Sequence, residues 1–162
     1  MKIVPLSKET LKQAIDLTLK SFLESKPEDF DYPEKWLKYS LEMKEKQENK
    51  YVSELGYWVA IDNKKVIGIS GLYSLPDDKD ANWLGWTCVD PEYRGKKIGG
   101  KLLDLMIEKA RKNKKKFLRL YTDTRENERV ARILYKKRGF VETKRKKDKV
   151  HGGDIIYMEL KL

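Results

Sequence analysis

Val89-Asp90-Pro91-Glu92-Tyr93-Arg94-Gly95-Lys96-Lys97-Ile98-Gly99-Gly100 is the stretch on which the reading of this chain turns. Before it, 83–89 is an apolar run suited to a strand and stopped by Asp90-Pro91. After it, Leu102, Leu103, Met106, Ile107 and Ala110 recur at helical spacing. A strand end, glycines and a helix start gather several backbone N–H groups that no helical carbonyl can satisfy. The helix dipole adds positive potential there, and Arg94, Lys96, Lys97 and Lys101 add full charges. In physical terms this is a pyrophosphate cradle. It is neither a P-loop, which needs Gly-x-x-x-x-Gly-Lys-Ser/Thr, nor the Gly-x-Gly-x-x-Gly dinucleotide turn. The bland alternative is a plain glycine-rich connection.

Working outward, 117–122 reads as a strand, so strand, glycine turn, helix and strand make a βαβ unit. Such a unit implies one parallel strand pair with a right-handed crossover. Upstream, 57–61, the turn Asp62-Asn63-Lys64 and 66–69 read as a hairpin, followed by a loop at 76–80. Ile3-Val4 is a short strand ended by Pro5. Ser7 then caps a helix over 8–24 with an apolar face of Leu11, Ile15, Thr18/Leu19 and Phe22. A break at 27–33 precedes a second helix over 34–50. Downstream, a helix over 126–137 is closed by Gly139, and strands fall at 141–143 and 155–160. The order βααβββαβαββ predicts an α/β (α+β) fold. Its sheet is mixed and mainly antiparallel, with one parallel pair and helices on both faces. No repeat or linker interrupts it, so 1–162 reads as a single domain.

Composition narrows the class. The 162 residues are 40% hydrophobic, enough to build a core, and the formal net charge is +10. No apolar run approaches the ~20 residues of a membrane span, and Met1-Lys2-Ile3-Val4-Pro5 does not open a signal peptide. Cys88 is the single cysteine, which excludes an internal disulfide, and with one histidine it leaves little for a zinc site. The expectation is a cytoplasmic protein with no membrane partner and no metal. Charge is uneven: 1–93 hold 13 basic and 17 acidic residues, whereas 94–149 hold 22 basic and 7 acidic. A half this basic suggests nucleic acid, an anionic membrane or a phosphorylated cofactor. Solvated helix faces are the ordinary alternative.

The cradle and a second element together resemble the GNAT superfamily of N-acetyltransferases. That family carries Gln/Arg-x-x-Gly-x-Gly/Ala at this strand–helix junction, matched here by Arg94 and Gly99, with Lys97 standing where its first glycine falls. One strand later, Asn127, Ala131, Tyr135, Gly139 and Phe140 match Asn-x-x-x-Ala-x-x-x-Tyr-x-x-x-Gly-Phe. The resemblance implies acetyl-CoA as cofactor. The backbone of Thr87, Cys88 and Val89 would hold pantetheine and the acetyl carbonyl. Arg94, Gly95, Lys96, Lys97, Ile98, Gly99 and Gly100 would form the pyrophosphate loop. Asn127 would contact the cofactor, and Tyr135 would lie near the thioester sulfur as general acid. If position 97 needs a left-handed backbone, Lys costs ~1–2 kcal/mol relative to Gly.

The implied reaction is direct acetyl transfer to a primary amine in a ternary complex. An alkylammonium with a pKa near ~10.4 cannot attack until it loses a proton. The Val89 N–H suits the tetrahedral oxyanion and Tyr135 the departing thiolate. The base is open. A family glutamate would fall near Asn82, which cannot accept a proton, so Glu54 and Asp123 are the candidates, and a water relay needs neither. Cys88 reads as an inert core thiol rather than a nucleophile, and His151 as an exposed turn residue. Residues 1–93 carry −4, with Glu24, Glu28, Asp29, Asp31 and Glu34 grouped. A cationic small-molecule or peptide amine is therefore the expected acceptor. The rival reading, a nucleic-acid- or ribosome-associated binding module, explains the charge but not the Asn127 to Phe140 pattern. It also lacks aromatics interleaved in the basic run. A coenzyme A-binding relative without catalysis and a homodimeric assembly stay open.

Overall fold

Ser7 starts the first helix as expected: its backbone N–H donates to Thr10 Oγ1 at 3.0 Å and its carbonyl accepts from the Thr10 N–H at 3.2 Å. The computed structural model describes residues 1–22, 33–42, 52–149 and 152–162, and for Ser53 and Glu54 the backbone alone. Its elements run β1 (Lys2–Pro5), α1 (Lys8–Phe22), α2 (Pro33–Glu42), β2 (Ser53–Asp62), β3 (Lys65–Leu75), β4 (Asp78–Leu84), β5 (Cys88–Val89), α3 (Ile98–Lys112), β6 (Phe117–Asp123), α4 (Arg129–Lys137), β7 (Val141–Lys147) and β8 (Asp154–Lys161). The sheet order is β1-β2-β3-β4-β6-β8-β7, with β5 pairing β3. Only β4 and β6 run parallel among the described strands, through Ala81↔Phe117, Asn82↔Leu118 and Trp83↔Arg119. The mixed sheet with its single parallel pair is thus the one expected.

Both faces carry helices. Ala14 and Leu17 of α1 and Leu37 of α2 pack with Tyr57, Val59 and Ile69 of β2 and β3. On the other face Leu103, Met106, Ile107 and Ala110 of α3 and Tyr135 of α4 pack on Leu118, Leu120, Ile156 and Met158. The α3 stripe is the one its spacing predicted. That of α1 is rotated in part: Thr18 is buried as expected, but Ala14 and Leu17 are buried beside it, while Leu11, Ile15, Leu19 and Phe22 are half-buried. Thr18 is accommodated because its hydroxyl donates to the Ala14 carbonyl at 2.7 Å. Among the described residues, no helix is long and apolar enough to cross a membrane.

Three local expectations change. The 76–80 loop shrinks to a tight turn at Pro76-Asp77, since Leu75 pairs Asp78. The basic connection after 143 is strand: β7 runs on to Lys147 with every residue exposed. Lysines on an exposed edge keep it from pairing with another sheet. Most consequential, the single strand expected over 83–89 is broken into β4 and β5. Tyr57 causes the break. Its ring lies so close over Gly71 that a Cβ there would sit 2.4 Å from the ring, and its hydroxyl reaches Gly85, where a Cβ would sit 2.9 Å away. Gly85 N–H donates to the Gly71 carbonyl at 2.8 Å, and the Thr87 hydroxyl bonds the Gly85 carbonyl at 3.0 Å and Ser70 Oγ at 2.8 Å. The chain therefore turns away from β6 at 85–87.

Candidate active site

The turn at 85–87 opens the sheet. The β4–β6 ladder ends at Trp83↔Arg119, while β6 continues to Asp123 with, among the described strands, β8 on its far side only. Beyond the turn, Cys88 and Val89 pair with β3 alone among the described strands. A wedge-shaped gap is left between 88–89 and 120–123. The Asp90 N–H donates to the Ile67 carbonyl at 3.0 Å, which makes Gly68↔Val89 the kind of antiparallel pair that exchanges no bonds. The N–H and C=O of Val89 therefore point away from β3 into the gap. Arg94 Nε reaches that carbonyl at 3.3 Å.

At one end of the gap sits the start of α3. Gly95 has φ +79° and Lys97, the residue before the first helical turn, has φ +62° and ψ +15°. The left-handed backbone asked of position 97 is thus real, and a lysine adopts it. The first helical bond, Lys101 N–H to the Lys97 carbonyl at 3.1 Å, leaves the N–H groups of Ile98, Gly99 and Gly100 without helical acceptors. Packing does not explain both glycines. A Cβ on Gly100 would meet Arg138 Nη2 at 2.7 Å, where that side chain crosses to Asp104. A Cβ on Gly99 would make only ordinary 3.7 Å contacts with Val89 and Leu134. It would instead fill the gap's own space, which suits a ligand that approaches the backbone closely. Lys96 and Lys97 are exposed, Lys96 Nζ lying 4.5 Å from the Tyr93 ring centroid. Asp90, buried, anchors the loop. It accepts from the Glu92 N–H and pairs Lys65 at 2.9 Å, and that lysine holds its carboxyl below the usual range. A phosphorylated cofactor with a long, amide-bearing arm fits these donors.

Across the gap, β6 alternates. Leu118, Leu120 and Thr122 turn toward α3 and α4, while Arg119, Tyr121 and Asp123 turn to the opposite face. Tyr135 is 7% exposed, its ring 5.8 Å from that of Phe140. Among the described residues nothing hydrogen-bonds its hydroxyl. Burial pushes its pKa up, and the charge of Glu128 pushes further. Asn127, by contrast, is exposed. It is Glu128 that turns inward, accepting from Thr122 Oγ1 at 2.9 Å, and burial raises its pKa. Helical spacing does not signal this, because residues 126–128 form a separate tight turn ahead of α4.

The remaining candidates separate. Asp123 is engaged by Arg125, its Oδ1 accepting from the backbone N–H at 2.8 Å and its Oδ2 from Nε at 2.9 Å. The side chain of Glu54 lies outside the described residues, as do Glu24, Glu28, Asp29, Asp31 and His151. Glu34 pairs Lys38. Burial lifts the Cys88 thiol to about 11, so it is almost wholly protonated at neutral pH. The Thr87 hydroxyl is spent on the kink. Sequence reasoning missed Glu128, Thr122 and the Tyr57–Gly71–Gly85 contact that opens the gap. It also missed Tyr73, whose ring lies 6.3 Å from that of Trp36 in α2, and Tyr121 and Tyr157, whose rings lie 6.2 Å apart on the face opposite α3. Tyr121 and Tyr157 are cross-strand partners.

Residues 15–140 match the family model of the acetyltransferase (GNAT) family. Solved structures align over nearly the whole chain. An acetyltransferase of the GNAT family from Staphylococcus aureus Mu50 is 25% identical with a TM-score of 0.70, covering 99% of each chain. A GNAT acetyltransferase from Elizabethkingia anophelis with acetyl-CoA bound is 21% identical with a TM-score of 0.70, over 99% of this chain and 97% of that one. The ribosomal-protein-S18-alanine N-acetyltransferase of Escherichia coli is 22% identical with a TM-score of 0.70, over 99% and 92%. A search of curated proteins finds no match.

Proposed function

The chain belongs to the GNAT acetyltransferase family, which transfers acetyl groups from acetyl-CoA, and on that premise we propose that it is an N-acetyltransferase in which a primary amine attacks the bound thioester directly. The observation that carries this reading is the Tyr135 hydroxyl. A buried hydroxyl without a partner costs ~1–3 kcal/mol, and a thioester sulfur in the gap would supply one. The cofactor's pyrophosphate sits on the N–H groups of Ile98, Gly99 and Gly100, with Arg94, Lys96, Lys97 and Lys101 around it. Its arm runs along Cys88 and Val89, whose free N–H meets the acetyl oxygen as it becomes an oxyanion. Tyr135 serves the thiolate on the α4 face.

The amine enters from the opposite face, where the Tyr121 and Tyr157 rings lie 6.2 Å apart and the Tyr73 ring packs beside Trp36 of α2. Asp123 shares that face of β6, and it can receive the ammonium proton once Arg125 swings aside; a water relay or Glu54 is the alternative route. The −4 charge of residues 1–93 and the tyrosine rings, which attract cations, favour a cationic amine. The S18-alanine enzyme acts, by its name, on a protein alanine, so peptide amines belong beside polyamines and aminosugars as acceptors.

Thiol release from acetyl-CoA against such a panel tests the reading. Turnover with at least one amine is expected. Tyr135→Phe keeps the ring and deletes only the hydroxyl, so kcat should fall ~10- to 100-fold with acetyl-CoA affinity nearly unchanged. No turnover of any amine by a wild-type protein that binds acetyl-CoA would refute N-acetyl transfer.

A further inference from the structure

On the face opposite α3 and α4, the last strands of the sheet, β6, β8 and β7, set their side chains in two rows that lead away from the gap. Tyr121, Tyr157 and Lys144 stand opposite one another in register, and Asp123, Ile155 and Lys146 make the next row. Residues opposed in this way share a face of the sheet. Tyr121 starts its row at the lip of the gap and is 49% exposed, while Lys144 and Lys146 end theirs exposed at the sheet edge. Lys146 is held over this face: its Nζ lies 5.7 Å from the Tyr157 ring centroid, and the Tyr157 and Tyr121 rings are 6.2 Å apart.

The carboxylates that could neutralise the two lysines are engaged elsewhere. Glu142 and Asp154 hold Arg145, whose register partner Ile156 turns to the other face. Glu159 holds Arg119, and Asp123 holds Arg125. Among the described residues neither Lys144 nor Lys146 pairs a carboxylate. The far end of both rows is therefore positive, on the face from which the acceptor enters.

Resting on the N-acetyltransferase reading, we propose that Lys144 and Lys146 determine specificity by selecting a peptide acceptor that carries a carboxylate a few residues beyond its reacting α-amine. The span sets the chemistry. β6 edges the gap, and β7 lies two strand spacings further on, roughly 10 Å away. An extended chain advances ~3.3 Å per residue. An acidic side chain on the third or fourth residue thus reaches the lysines while the amine reaches the thioester, and a simple amine falls short of them. The Tyr157 ring keeps Lys146 on the face, which lowers the ordering cost of pairing a carboxylate. The amine remains the cation drawn to the gap; the carboxylate is the second, opposite charge that fixes the direction of the chain.

The test compares kcat/KM for three peptides that begin Ala-Gly-Glu-Glu, Ala-Gly-Gln-Gln and Ala-Gly-Lys-Lys and share one neutral, amidated tail. Wild type should favour the Glu peptide over the Gln peptide roughly 3- to 10-fold, through KM, because two exposed charge pairs each contribute a small factor. The Lys peptide should trail both, and rising ionic strength should shrink the preference. Lys144→Met with Lys146→Met keeps the apolar stems and removes the charges, so the ratio should fall to about one. Lys144→Glu with Lys146→Glu should invert it in favour of the Lys peptide, an outcome that a damaged fold does not produce. The inference is overturned if wild type shows no preference for the Glu peptide, if the preference survives in the Met variant, or if the charge-reversed variant keeps it. It also fails if small amines are acetylated and no peptide is, and N-acetyl transfer then stands. A wild-type protein that binds acetyl-CoA and acetylates no amine of any kind defeats the underlying reading, and this inference with it.

Discussion

Along β5 and the start of α3 the gap is lined by backbone, whereas across from it β6 and α4 present side chains. The first wall offers the Val89 N–H, the unsatisfied first turn of α3 and the space left by Gly99. The second offers Thr122, Glu128, Tyr135 and, on the other face, Asp123. A backbone wall is broken by added bulk and is indifferent to many changes of charge. A side-chain wall tolerates conservative shape changes but not loss of a proton-bearing atom. Substitutions on the two sides should therefore separate binding from chemistry.

The largest effect belongs to the backbone wall. Acetyl-CoA should raise the Tm of the wild-type protein by binding only the folded state. Gly99→Val should abolish that shift in a protein that still folds, because its Cβ meets protein atoms only at ordinary distance. An undiminished shift in folded Gly99→Val would remove Gly99 from the cofactor's path. Next comes the kink that creates the gap. Gly71→Ala would drive a methyl into the Tyr57 ring at 2.4 Å and toward the Gly56 carbonyl at 2.9 Å. Overpacking of this kind costs ~1–3 kcal/mol, read as a lower Tm, and acetyl-CoA binding should weaken with it because β5 is displaced.

Smaller effects sharpen the contrast. Tyr135→Phe, while impairing turnover, should stabilise the cofactor-free protein by ~1 kcal/mol, since it removes an unpartnered buried hydroxyl. Thermal melts without acetyl-CoA check this, and a lowered Tm would mean the hydroxyl is satisfied within the protein. Lys97→Gly relieves a left-handed lysine at φ +62°, worth ~1 kcal/mol or somewhat more. The Tm should rise by roughly 2–4 °C. Acetyl-CoA affinity should stay within about threefold, lost charge and released strain opposing one another.

The backbone wall was legible in the sequence because glycines, a strand stop and a helix period are local signals. Gly95, Gly99 and the α3 stripe of Leu102, Leu103, Met106, Ile107 and Ala110 sit as their spacing implies. Lys97 was marked as the exception, and its left-handed backbone is the reason. What the sequence hid were contacts between distant segments. Nothing near 85–87 announces that Tyr57, from another strand, will end β4 there. The basic run 144–147 has no alternation, yet it pairs β8 as an edge strand. Just ahead of α4 the pattern named Asn127, but the tight turn at 126–128 points Glu128 inward instead. Asp123 was a candidate by type and place, and its grip on Arg125 is a side-chain event with no sequence signature.

The central claim is that one cofactor lies between the two walls, on the α3 start and the free edge of β5. Amide resonances followed by NMR during an acetyl-CoA titration test it most directly. The account predicts that Val89, Ile98, Gly99 and Gly100 shift together along one binding curve, and that Tyr135→Phe leaves that curve in place. Shifts confined to the exposed basic strand β7, with Val89 and Gly99 unmoved, would contradict it and leave an electrostatic surface in place of a cofactor site.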